Sequence, residues 1–226
     1  TTLNVANCTS LTELTINMCS NFRSLNVSGC TSLATLTCDT YKLAEINLSG
    51  CTALSRLRLL GDYLSKSRGN LSTIDLSDCV ELLHLALWGN KLTELEHSKN
   101  TNLTQLYIQG NNLKKLDLSN NTKLQDVNCF KNELTELDLT KNTELQRLSC
   151  YENSLKALDL SKTNITCADS KSSLNCANNQ ITVLDFKDNV SVASKYFSCA
   201  SQDIPAQLVV EISNGTYKYK CDLNPL

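Results

Sequence analysis

Apolar residues in this chain return at fixed intervals. From Leu103 the sequence reads LTQLYIQGNNLKKLDLSNNTK, from Leu124 LQDVNCFKNELTELDLTKNTE, and from Leu145 LQRLSCYENSLKALDLSKTN, three copies of one 21-residue unit. Within each copy leucines recur at spacings of 3, 2 and 5. That rhythm suits short strands joined by tight turns and has no helical period. A repeat of this length cannot bury its own apolar face, so successive copies must stack as coils of a solenoid. In each L-x-L step the two leucines point into the coil and the residue between them points out. Parallel strands stack at about 4.8 Å, so about nine coils, the first truncated, would give a rod of roughly 40 Å.

Every unit has two similar halves. The first reads L-x-x-L-x-C/I/L-x-x-N-x-L, as at Leu145, Leu148, Cys150, Asn153 and Leu155. The second reads L-x-x-L-D-L-S-x-N/C-T-x-L, as at Leu134, Leu137, Leu139, Asn142 and Leu145. The leading position of the first half falls at Leu14, Leu36, Leu57, Leu85, Leu106, Val127, Leu148, Leu174 and Phe197. That of the second half falls at Leu25, Ile46, Ile74, Leu95, Leu116, Leu137, Leu158 and Leu184. These residues resemble the leucine-rich repeat family, whose L-x-x-L-x-L-x-x-N/C-x-L pattern is matched twice per coil. The nested form is similar to the bacterial 21-residue class sometimes called IRREKO. The resemblance covers roughly the first 190 residues.

The fold expected is a leucine-rich-repeat solenoid: a right-handed parallel β coil stack with short strands, little or no α-helix and a C-terminal β-hairpin cap. Residues 1–190 form the solenoid and 191–226 the last irregular coil and the cap. Extra residues enter near 60–70 and 166–173, one after a first half and one after a second half, so they should protrude from opposite edges. The cap is read from Val209 to Tyr219, two strands joined at Asn214-Gly215. It would cover the strand edge of the last coil. The turn residues Asn90, Asn111, Asn132, Asn153 and Asn179 should point inward as a ladder that satisfies backbone groups where strand pairing ends.

Composition narrows the function. The chain has 226 residues, 41% of them hydrophobic and 19% charged, with a net charge of −2. No basic field exists to attract nucleic acid or an anionic membrane. No apolar run is long enough to insert in a bilayer. No leader is visible, and Leu3 to Thr9 already read as the second half of a repeat. The natural protein is therefore expected to extend upstream, where a targeting segment would lie.

Twelve cysteines invite a disulfide or metal reading, but their positions favour buried free thiols. Cys38, Cys129, Cys150, Cys176 and Cys199 take the inward L-x-C slot. Cys8, Cys30, Cys51 and Cys79 take the second-half ladder slot, and Cys19 the first-half one. Disulfides and a metal remain the alternatives. Cys167 and Cys221 fall outside the frame and are the first candidates for a disulfide.

Little in the sequence points to catalysis. His97 replaces an inward leucine, which reads as a core substitution, and His84 faces outward. Asp75, Glu96, Asp117, Asp138, Asp159 and Asp185 form an acidic column that calcium could use, though no loop supplies six to eight oxygens. The outward rows of the first half are more suggestive. Trp88, Gln109, Phe130 and Tyr151 form one, Tyr107 stands in the next, and His84, Gln105, Asp126 and Arg147 form a third. Exposed aromatic residues are enriched at binding hot spots. Strand propensity explains them equally well. The expected partner-binding set is His84, Trp88, Gln105, Tyr107, Asp126, Phe130, Arg147 and Tyr151.

The family resemblance implies a non-enzymatic recognition module, exported or displayed by a bacterium, binding protein through its concave face. No cofactor or metal is expected, and the protein is read as a monomer. A glycan surface and a structural spacer are the rival functions. An enzyme ranks last, because no nucleophile–base pair or metal spacing is present.

Overall fold

The computed structural model describes residues 1–17, 19–40, 42–61, 69–165 and 174–186, together with the backbone of 197–198, 208–212 and 215–219. Residues 62–68 and 166–173, Cys167, Cys199, Cys221 and the side chain of Phe197 lie outside the described set. So do residues 213–214, at the turn read in the cap. Contacts divide the chain into two compact units, Thr1–Leu113 and Lys114–Leu226. Both are stretches of parallel β-solenoid, and no helix occurs among the described residues.

In the first unit the first halves supply β2 (Glu13–Asn17), β4 (Thr35–Asp39), β6 (Arg56–Leu60), β7 (His84–Ala86) and β8 (Gln105–Tyr107). The second halves supply β1 (Thr2–Asn4), β3 (Ser24–Asn26) and β5 (Glu45–Asn47). All pair in parallel, with leucine opposite leucine: Leu14 to Leu36, Leu36 to Leu57, Leu57 to Leu85 and Leu85 to Leu106. Leu57 and Leu85 stand 28 positions apart instead of 21, yet they keep register. The added residues leave the register of the flanking strands unchanged. A one-residue slip would turn every inward leucine outward, so burial enforces this alignment.

In the second unit the first halves supply β9 (Asp126–Asn128), β10 (Arg147–Ser149), β12 (Leu174–Asn175) and β14 (Phe197–Ser198). The second halves supply β11 (Ala157–Asp159) and β13 (Val183–Asp185), followed by β15 (Leu208–Ile212) and β16 (Gly215–Tyr219). Leu148 faces Leu174 across 26 positions, again in register. β15 joins β13 in parallel and β16 returns antiparallel to β15, which is the C-terminal hairpin expected from the sequence.

The core is the inside of the coils. Leu36, Leu57, Leu85 and Leu106 are fully buried in the first unit, as are Leu124, Val127, Cys129, Leu145 and Cys150 in the second. Each such leucine is worth about 1.5–3 kcal/mol relative to exposure. The first rung differs. Leu3, Leu11 and Leu14 are only half-buried, and Cys8 and Cys19 are exposed. The second halves around Ile74, Leu95, Leu116 and Leu137 form no strand, and side chains shape their turns instead.

Candidate functional site

The turn after each first-half strand is set by an asparagine and the residue before it. Gly89, Gly110, Lys131, Glu152 and Asn178 all have φ between 51° and 72°. This left-handed step turns Asn90, Asn111, Asn132, Asn153 and Asn179 toward the coil interior. Each donates Nδ2 to the carbonyl three residues back: Leu87 at 3.0 Å, Ile108 at 2.9 Å, Cys129 at 3.0 Å, Cys150 at 2.9 Å and Cys176 at 3.0 Å. Asn111, Asn153 and Asn179 also donate to the coil before, at Leu87, Cys129 and Cys150. Their Oδ1 atoms accept from Leu92, Leu134 and Leu155 N–H. One amide thus serves backbone groups of two coils where the strand ladder has ended.

The second-half turns use the same slot with two chemistries. Asn100 donates to Leu76 O at 3.2 Å and Asn142 to Leu118 O at 3.1 Å, each reaching one coil back. Cys51 Sγ donates to Val27 O at 3.2 Å, and Cys30 Sγ to Val5 O at 3.1 Å, in the same manner. The nine cysteines among the described residues are free thiols. Burial pushes the Cys79 and Cys129 thiols up to about 12 and Cys51 to about 11. Burial also raises Cys38, and it carries Cys150 well above the ordinary range. Held protonated, these thiols act as small core residues and not as nucleophiles or ligands.

The acidic column also has a local job. Asp75, Asp117, Asp138 and Asp159 each accept the backbone N–H two residues on, at 2.8–2.9 Å, and Glu96 does the same at 2.8 Å. Asn4, Asn26 and Asn47 make this turn in the earlier coils. The hydrogen bond from Ser77 lowers the Asp75 pKa, and that from Thr140 lowers Asp138. Among the described residues no three His, Cys, Asp or Glu side chains are placed to hold a metal ion. His97 is 3% exposed, so it occupies the core as its inward position requires. A cavity of about 220 Å³ opens beside it, lined by Asp75, Leu76, Glu96 and Lys99.

The outward residues of each unit meet in pairs on neighbouring first-half strands. On the first, the His84 ring meets Tyr107 edge-on, with centroids 5.5 Å apart. Tyr107 Oη reaches Gln105 Oε1 at 3.4 Å. Trp88 is half-buried and Gln109 is buried. Nearby on β4 and β6, Arg58 pairs with Asp39 at 3.2 Å, which the sequence reading missed. On the second unit Phe130 and Tyr151 stack, centroids 4.1 Å apart and planes 15° from parallel.

Phe130 is only 7% exposed, so its outward position does not leave it open to solvent. Strands one coil apart hold equivalent side chains about 4.8 Å from each other, close to ring-stacking distance, so the rings cover one another. Arg147 Nε donates to Asp126 Oδ2 at 2.8 Å, with the arginine 54% exposed and the aspartate 16%. Lys131 lies 3.7 Å from Glu152, a second pair the sequence reading missed. Comparing charges at the same slot of adjacent coils would have found it, as it does Asp126 and Arg147.

No protein-family model matches the sequence, and no curated protein does. The fold is similar to the functional domain of InlJ from Listeria monocytogenes, described as including a cysteine ladder. The TM-score is 0.63 and the identity 26%, over 89% of this chain and 52% of that one. It is also similar to a leucine-rich-repeat protein of Leptospira interrogans, at TM-score 0.55 and 20% identity over 74% of this chain and 47% of that one. The chain spans about half the length of each of these structures. The architecture is the leucine-rich-repeat solenoid.

Proposed function

We propose that this leucine-rich-repeat solenoid is a non-enzymatic recognition module that binds a protein partner through the outer face of its first-half strands. That face is the concave one in the resemblance drawn from the sequence. The observation that carries the reading is the second-unit surface, where Tyr151, stacked on Phe130, and Arg147, paired with Asp126, stand on one coil. Aromatic residues and arginine are the side chains most enriched at protein-binding hot spots. The same surface weakens the glycan alternative. A sugar needs an open ring face, and Phe130 gives its face to Tyr151.

The likeness to InlJ supports an exported or surface-displayed bacterial protein. Free thiols at Cys129, Cys150 and Cys176 suit an oxidising exterior only because burial shields them. A buried row of thiols is similar in kind to the cysteine ladder described for InlJ. We read the protein as a monomer without a cofactor.

The test is to probe a protein array and a glycan array with the purified chain. Protein binding should weaken at least tenfold with Arg147→Glu or Tyr151→Ala, measured at a temperature where circular dichroism shows both variants folded, consistent with hot-spot losses of about 1.4 kcal/mol or more. Glycan binding lost in Trp88→Ala would overturn the reading. Protein binding indifferent to all three substitutions would move the function elsewhere and leave this chain a spacer.

A further inference from the structure

The left-handed position before each ladder asparagine is filled differently along the chain. It is Gly89 and Gly110 in the first unit, and Lys131, Glu152 and Asn178 in the second. Glycine adopts this conformation freely and asparagine tolerates it, whereas lysine and glutamate are strained there. The backbone N–H groups of Gly89, Lys131 and Glu152 each donate to a carbonyl of the following coil, at 2.8, 3.0 and 3.0 Å. The slot is therefore fixed by the stack, and the side chain has no say in it.

Glycine is given up in the two coils that carry Phe130 and Tyr151. The two strained side chains reach each other at 3.7 Å, with 36% and 41% of their side-chain surface exposed. A pair so long and so wet contributes little to stability. The turn fixes the backbone but would be served better by glycine, and the ion pair does not repay the difference; strained non-glycine positions gather at functional sites.

We propose that Lys131 and Glu152 are partner-contacting residues that extend the strand face of the second unit onto the adjoining turn. The partner they select presents a carboxylate and a cationic side chain side by side. Lys131 and Glu152 stand on adjacent coils with opposite charges, so a partner bearing the reverse pair meets both and closes a four-charge cluster. Electrostatic complementarity of this kind sets which partner and which register are accepted. A neutral sugar offers nothing to either charge. The proposal rests on the protein-binding reading of the strand face and names the partner chemistry for it.

The test uses a random peptide library displayed on phage, panned against the wild-type chain. Enriched peptides should carry adjacent acidic and basic residues. Lys131→Gly/Glu152→Gly should raise the melting temperature by about 2–4 °C at each site, since glycine relieves the strain. It should weaken a synthetic enriched peptide at least tenfold in fluorescence anisotropy. Lys131→Glu/Glu152→Lys keeps the ion pair and the strain but reverses the polarity, and should weaken the same peptide as much.

No enrichment, peptides lacking the charge pair, full affinity in either double variant, or a lowered melting temperature in the glycine variant would each overturn the proposal. Tyr151→Ala separates the two readings. Binding that falls with Tyr151→Ala but not with the glycine variant sinks this inference alone, and binding indifferent to both sinks the strand-face reading as well.

Discussion

The two units build the same coil from different side chains. In the first, the second-half turn is held by thiols at Cys30 and Cys51 and by the amide of Asn100. In the second it is held by the amide of Asn142. The inward strand slot holds Ile16, Cys38, Leu59, Leu87 and Ile108 in the first unit, a single cysteine among larger apolar residues, but Cys129, Cys150 and Cys176 in the second. The left-handed turn slot passes from Gly89 and Gly110 to Lys131 and Glu152. A coil demands an apolar buried group, a donor aimed one coil back and a left-handed step. Several residues meet each demand, at different energies. The composition of a coil therefore records more than its fold requires, and the excess is where function can be sought.

The largest contrast should appear in thiol reactivity. At pH 8 an alkylating reagent should modify Cys8 and Cys19 at once, since both are exposed. Cys79, Cys129 and Cys150 should react slower by about a thousandfold or more, because a buried, protonated thiol must wait for opening of the fold. Mass spectrometry of timed samples would decide it, and equal labelling of Cys129 and Cys19 would break the assignment of inward slots.

Next comes the amide ladder. Asn111→Ala removes bonds to Leu87 O, Ile108 O and Leu92 N–H together. Leaving such groups buried and unmet should cost about 3 kcal/mol in urea unfolding. A loss below about 1 kcal/mol would show that water replaces the amide readily.

The exchange of slot chemistry is subtler. Asn142→Cys should keep the bond to Leu118 O and lose the one to Asn121 O. We expect about 1 kcal/mol of destabilisation, well below that of Asn142→Ala, from the net worth of one hydrogen bond. If the two variants unfold alike, thiol and amide are not equivalent in this slot.

The smallest effect belongs to the acidic turns. The hydrogen bonds from Thr140 hold the folded-state pKa of Asp138 below the usual aspartate range. Its stabilisation is complete above the unfolded-state value and fades as pH falls through the lower folded value. Asp138→Asn should match wild type near pH 7, as Asn26 and Asn47 make the same turn. Below about pH 4 it should lose less stability than wild type on further acidification. Parallel acid-melting curves would deny the carboxylate this role.

Much of this was legible in the leucines. Their spacing of 3, 2 and 5 fixed the strands, and the 21-residue return fixed which positions share a slot. Even the long repeats ending at Leu85 and Leu174 obeyed it, since burial penalises any other register. The inward cysteines and asparagines followed from the same frame. The candidate surface was legible only in outline. Alternation places Phe130 and Tyr151 outside the coil, but it does not say that the two rings close on each other. Nor does it show Asp138 turning onto its own backbone, or Lys131 strained at its turn.

What the sequence determined alone is direction, inward or outward, because a strand's side chains alternate and parallel coils keep register. What only the tertiary structure decided is exposure. Phe130 and Tyr151 occupy one outward slot in successive coils, yet the first is buried and the second only half-buried. Direction is a property of a residue's own backbone, whereas exposure depends on what lies against it from the coils on either side.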